Sequence, residues 1–73
     1  MDARNVDVVF ASGRKVHQAR LDGEVADLLT ARRGRETIAN TRCGRGGWIS
    51  AAPEGWDWAE RHCRHCRARG AWL

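Results

Sequence analysis

Apolar and polar residues alternate early in the chain, over Val6-Asp7-Val8-Val9-Phe10. Val6, Val8 and Phe10 fall two residues apart, so they share one face of an extended segment. β-Branched residues and an aromatic in that rhythm predict a strand. Ala11-Ser12-Gly13-Arg14 supplies a turn, with Gly13 free to take a positive φ. Residues 15–19 then form the return strand of a hairpin. The period changes after that. Leu21, Val25, Leu28 and Leu29 stand at i, i+4, i+7 and i+8, one apolar stripe of a helix over residues 21–34. Asp22 suits its N-cap, Glu24 its first turn, Arg32 and Arg33 its last, and Gly34 the position just beyond.

Residues 35–42, with Thr37, Ile38 and Thr41, read as a strand, and Trp48-Ile49-Ser50 as a short second one. Between them lies the turn Cys43-Gly44-Arg45-Gly46-Gly47. Residues 51–55, with Pro53, form a loop. The last segment reads as a helix that ends at Gly70 and starts either at Asp57 or only near the Cys63/Cys66 pair. Asp57 and Glu60 are the N-cap and N3 acid of a capping box, and Gly70 is its stop. The expected architecture is α+β: one domain over residues 1–73, made of an N-terminal hairpin, a short helix, a short strand pair and a C-terminal helix.

Size changes this picture. A chain of 73 residues buries little apolar surface and usually leans on disulfides, a metal or a partner. Its three cysteines cannot complete a disulfide framework within one chain. A reducing compartment and a bound metal are therefore expected. No apolar run reaches membrane-spanning length, and no charged leader precedes an apolar stretch, so the expectation is a soluble protein of the cytoplasm.

The candidate ligands follow from counting. Cys63-Arg64-His65-Cys66 places two thiolates at i and i+3, on one side of a helix. They need two more donors. Cys43 is followed by Gly44, which lets the backbone turn so that its N–H groups point at the sulfur, in the manner of half a zinc knuckle. His17, on the hairpin, is the expected fourth. The order is His17-x25-Cys43-x19-Cys63-x2-Cys66, a Cys3His set for one structural Zn2+. His62 and His65 are the other imidazoles. Each adjoins a cysteine, and helix neighbours project about 100° apart, which disfavours them.

Four protein ligands leave no position for water or substrate, so no enzyme is expected. The motifs agree. Gln18 and Ala19 follow His17 where a zinc deaminase needs a Glu two residues on. Arg67 follows Cys66 where a haem attachment needs His, and no H-E-x-x-H is present.

Charge adds a partner question. The formal net charge is +4, and twelve of the thirteen basic residues are Arg, the exception being Lys15. Three thiolates and a neutral imidazole around a dication leave one negative charge, so the loaded chain carries about +3. Arg binds phosphate bidentately, though Arg, Ala and Gly together also mark a GC-rich coding sequence. Arg42, Arg45, Arg61, Arg64, Arg67 and Arg69, with tryptophans at 48, 56, 58 and 72, are the residues expected to contact nucleic acid. The competing assignment places Trp48 and Trp58 in the core and the arginines on a solvated face. The acids Glu54, Asp57 and Glu60 fit a protein partner slightly better. A nucleic-acid-binding, DNA-regulatory module is preferred, with a protein-interaction module as the alternative.

Val16-His17, Cys43-Gly44-Arg45 and Cys63-x-x-Cys66 running into basic residues resemble the small zinc-finger-like proteins of actinobacteria and their phages. The resemblance spans residues 16–67. It implies a treble-clef-like zinc domain working in the cytoplasm of a bacterial host, and it allows docking on a host protein such as transcription machinery. Two features depart from that pattern. The interval between His17 and Cys43 is long and holds the expected first helix, and Cys63 and Cys66 fall inside the expected last helix rather than at its first turn.

Overall fold

A computed structural model describes residues 2–11, 13–31, 35–56 and 59–72. Strands β1 (Ala3–Phe10) and β2 (His17–Asp22) pair antiparallel, from Ala3 opposite Asp22 to Val8 opposite His17. Helix α1 (Gly23–Ala31) follows directly. Strands β3 (Thr37–Asn40) and β4 (Gly46–Ala51) pair antiparallel, and β4 also lies along the other edge of β1, with Phe10 opposite Ile49. The sheet order is β2-β1-β4-β3. A 3₁₀ turn (Ala59–Arg61) leads to helix α2 (Arg64–Ala68). This is the small α+β architecture expected. None of the described helices is long and apolar enough to cross a membrane.

The alternation in β1 sets the core. Val6, Val8 and Phe10 are buried and meet Ala19, Leu21 and Ile49 from the neighbouring strands, with Ala26 and Leu29 of α1 against them. Residues directly opposite in an antiparallel pair share a face. His17, opposite Val8, is therefore carried to the core side of the sheet, where its ring meets Phe10 edge-on at 5.0 Å. The same pairing that buries valines thus buries a histidine.

Several boundaries differ from the periodicity. Leu21 and Asp22 end β2 rather than begin the helix, because Asp22 pairs with Ala3 and the Gly23 N–H donates to the Asp2 carbonyl at 2.8 Å. Ala26 takes the buried position expected of Leu28, which is 48% exposed. The proposed helix end at Arg32, Arg33 and Gly34 lies outside the described residues, as does the turn residue Ser12. The return strand also starts later, at His17, because Val16 pairs elsewhere.

At the C-terminal end the helix starts at Arg64, beside the Cys63/Cys66 pair, the later of the two expected starts. Asp57 and Trp58, and with them the capping box, lie outside the described residues. Beyond them the chain leaves helical geometry at His62 and Cys63. The Val16 N–H donates to the Arg61 carbonyl at 2.6 Å and the Cys63 N–H to the Val16 carbonyl at 2.7 Å, which makes Val16 and His62 a parallel bridge. These bonds replace the i→i−4 bonds a helix would make here. Cys63, at φ −61° and ψ 123°, then stands as the N-cap of α2, so Cys66 lies in the first turn of a helix that starts only at Arg64. Gly70, at φ 98°, ends α2 as expected, and the Ala71 N–H reaches back to the Cys66 carbonyl at 3.1 Å.

Candidate metal centre

The ligand residues are placed by backbone. In a parallel bridge both chains advance the same way, so the residues after Val16 and His62, which are His17 and Cys63, stand side by side. Cys43 is brought in by the next step along β2, where the Arg42 N–H donates to the Gln18 carbonyl at 2.8 Å. Cys66 arrives one helical turn after Cys63. One ligand atom from each of His17, Cys43, Cys63 and Cys66 lies within 4.8 Å of all the others, and the group can hold a metal ion.

The site is buried on three sides. Cys66 is 0% exposed, His17 5% and Cys63 7%, while Cys43 is half-buried. His17 Nδ1 stands 3.6 Å from the sulfurs of both Cys43 and Cys66. One imidazole proton cannot serve two sulfurs at equal distance, whereas one cation among them can.

Electrostatics bear on three of the four ligands. Burial, and then the Arg45 charge, hold the His17 pKa below the usual imidazole value, so at neutral pH the ring is neutral and its nitrogen can donate to a metal. Burial works to raise the Cys43 pKa, but hydrogen bonds from the Thr41 hydroxyl, the Arg45 backbone N–H and the neighbouring cysteines outweigh it, and the net shift is downward. The Thr41 Oγ1 to Cys43 Sγ distance is 3.0 Å, and against a thiolate the hydroxyl is the donor. The N–H from Arg45, two residues on, is the knuckle geometry anticipated at Cys43-Gly44, with Gly44 at φ 88°. Burial pushes the Cys66 thiol up; backbone N–H groups of Gln18 and Cys43 lower it in part, while the Cys43 side chain and the Cys63 charge raise it further. Thiolates this close repel one another, and a central cation removes the repulsion.

The alternative imidazoles are elsewhere. His62 stacks on Trp72 at 3.9 Å and 7° between planes, with Nδ1 3.4 Å from Arg67 Nη2. His65 is exposed. Neither joins the ligand group.

The six arginines expected to meet a partner are divided. Arg42 is turned inward: it donates to the Gln18 side chain at 2.7 Å, to Asn5 at 3.2 Å and to the Arg69 carbonyl at 3.4 Å. Arg45 lies over the Phe10 ring at 4.3 Å. Arg61 lies over Trp56 at 4.2 Å and donates to the Arg14 carbonyl at 3.2 Å. Arg64, Arg67 and Arg69 are exposed. Trp48 is not a core residue, being 57% exposed, and Trp58 lies outside the described residues.

Sequence reasoning missed Thr41 and Lys15. Thr41 is the buried hydroxyl against Cys43, and the readable signal was a Thr two residues before a knuckle cysteine. Lys15 reaches the Glu60 carbonyl at 2.7 Å, which joins the hairpin to the C-terminal segment. Comparison with protein-family models, curated proteins and solved structures found no match.

Proposed function

We propose that this chain is a structural-zinc domain, a non-catalytic module that recognises nucleic acid. The observation that carries the reading is the closed Cys3His donor set. Zinc bonds of about 2.3 Å to sulfur and 2.0–2.1 Å to nitrogen, in a tetrahedron, put nitrogen and sulfur about 3.6 Å apart. Both Nδ1–sulfur distances given above are 3.6 Å. Soft thiolates with one imidazole favour zinc over the hard cations, which seek oxygen. Four protein ligands fill the tetrahedron, which supports a structural over a catalytic role. Basic net charge supports nucleic acid as the partner class. The position of Cys63 and Cys66 at a helix first turn supports grouping the chain with the small zinc-finger-like proteins of actinobacteria and phages.

Native mass spectrometry with metal analysis tests the zinc assignment on wild type and His17→Ala. One zinc per chain is expected, lost in the variant. Full retention by the variant would move the fourth ligand elsewhere, and a metal-free wild type would end the reading.

A second reading, docking on a host protein, rests on one observation. Ile38 and Trp48 stand opposite each other on β3 and β4, 65% and 57% exposed. Failure of both single-stranded and duplex DNA to bind at low salt would favour it.

A further inference from the structure

We propose that the groove between Lys15 and α2, on the flank of the metal centre, is where this domain grips the phosphodiester backbone of a nucleic acid. The inference rests on the nucleic-acid reading above and names the surface that performs it. The groove is lined by Lys15, Arg64 and Arg67, by His62 and His65, and by Glu60, with Cys63 in its wall. Among the described residues three cations face one carboxylate there, a net +2 beside the chain's formal charge of +4.

These charges are assembled by the fold. Lys15 precedes the bridge residue Val16, and Arg64 and Arg67 follow its partner His62. The bridge therefore brings a hairpin cation against a helix whose two arginines stand at i and i+3, on one side. Lys15 Nζ spends one of its three donors on the Glu60 carbonyl, which holds the ammonium at the rim. A pair of guanidinium forks beside a held ammonium matches a run of phosphate oxygens.

The lining also decides against a protein partner at this place. Protein interfaces are anchored by buried aromatic or aliphatic side chains, and among the described residues no Trp, Leu, Ile, Val or Phe lines this groove. A backbone of phosphates needs no such anchor, because released counterions drive its binding. The groove depends on the metal corner as well: Cys63 is at once a wall residue and a candidate ligand.

Fluorescence anisotropy of the zinc-loaded chain with labelled single-stranded and duplex oligonucleotides tests this. The groove triple variant Lys15→Ala/Arg64→Ala/Arg67→Ala is compared with Arg4→Ala/Arg20→Ala/Arg35→Ala, which removes equal charge from exposed residues elsewhere. For wild type, three phosphate contacts predict a slope of log K against log salt of about −2 for single strands and about −2.7 for duplex. The groove variant should lose at least about tenfold at low salt and flatten the slope towards zero, while the control changes by less than about threefold. Equal losses in both variants would overturn the groove and leave the nucleic-acid reading standing. A wild type that binds neither oligonucleotide would overturn both. Should the groove variant lose its zinc, amide shifts of wild type on adding unlabelled oligonucleotide give the answer: shifts centred on Lys15, Arg64 and Arg67 support the site, and shifts centred on β3 and β4 refute it.

Discussion

The described residues form two buried clusters, and these differ in what could hold them. Under α1 lies a cluster of branched and aromatic residues, among them Val8, Phe10, Leu29 and Ile49. At the other end lie Cys63, Cys66 and Ala71, with Cys43 and Trp72 at the margin. The first removes enough apolar area to be held by water's exclusion, at about 1.5–3 kcal/mol for each large side chain. The second has one alanine and small polarisable thiols, and the charges its cysteines develop repel each other. Burial alone does not hold it. A cation in the His17/Cys43/Cys63/Cys66 group would, and it would tie the second cluster to the first through His17, which belongs to the sheet. A small domain can thus divide its stability between an oily half and an ionic half, with one strand residue serving both.

Removing the metal should give the largest effect. Structural zinc contributes about 10–16 kcal/mol of apparent folding energy, against about 5–15 kcal/mol for a whole small domain. Chelation is expected to collapse amide dispersion throughout the chain, as read by NMR. If the resonances of β1, β2 and β4 stay dispersed while only residues 59–72 collapse, the two halves are independent and the comparison fails. Next in size is Leu29→Ala. Leu29 is 1% exposed, so the loss should be about 2–5 kcal/mol, or roughly 4–8 °C in Tm per kcal/mol, with metal stoichiometry unchanged. Loss of metal in this variant would show that the oily half is needed to build the ionic one. The smallest effect belongs to Thr41→Val, which keeps the shape and deletes the hydroxyl facing Cys43. Metal affinity should fall about 10–100-fold in competition with a chelator, because the partner of a ligand tunes it. An unchanged affinity would mean that the Arg45 N–H suffices for that sulfur.

Much of the oily half was legible, because its signal is local. Val6, Val8 and Phe10 mark their strand by period alone, and Gly13 sits in the connection to the return strand. The donors His17, Cys43, Cys63 and Cys66 were singled out by counting cysteines and asking for a fourth ligand. What stayed hidden is non-local. Nothing in Trp-Ala-Glu-Arg-His-Cys announces that its backbone will bond to Val16, so the pattern leaves two starts for the last helix, and the strand pairing at His62 decides for the later one. The choice of Ala26 over Leu28 depends on how α1 lies on the sheet, which periodicity fixes only to within a residue. The inward turn of Arg42 depends on Asn5 and Gln18 meeting it, and no charge pattern contains that.

The rung between Val16 and His62 has a last consequence, for what can vary. His17 and Cys63 each sit one step past the rung, so their mutual placement is set by two single-residue intervals. The stretch between Cys43 and Cys63, by contrast, has a loop in which it can lengthen or shorten. An insertion in the loop around Pro53 changes the interval from Cys43 to Cys63 and leaves the centre untouched. One residue inserted between Val16 and His17 shifts the ring out of phase with its sulfurs. For this architecture the heritable signature is the pair of short steps, Val-His and His-Cys, and a kinship sought through the interval from Cys43 to Cys63 would be sought in a part of the chain that is free to drift.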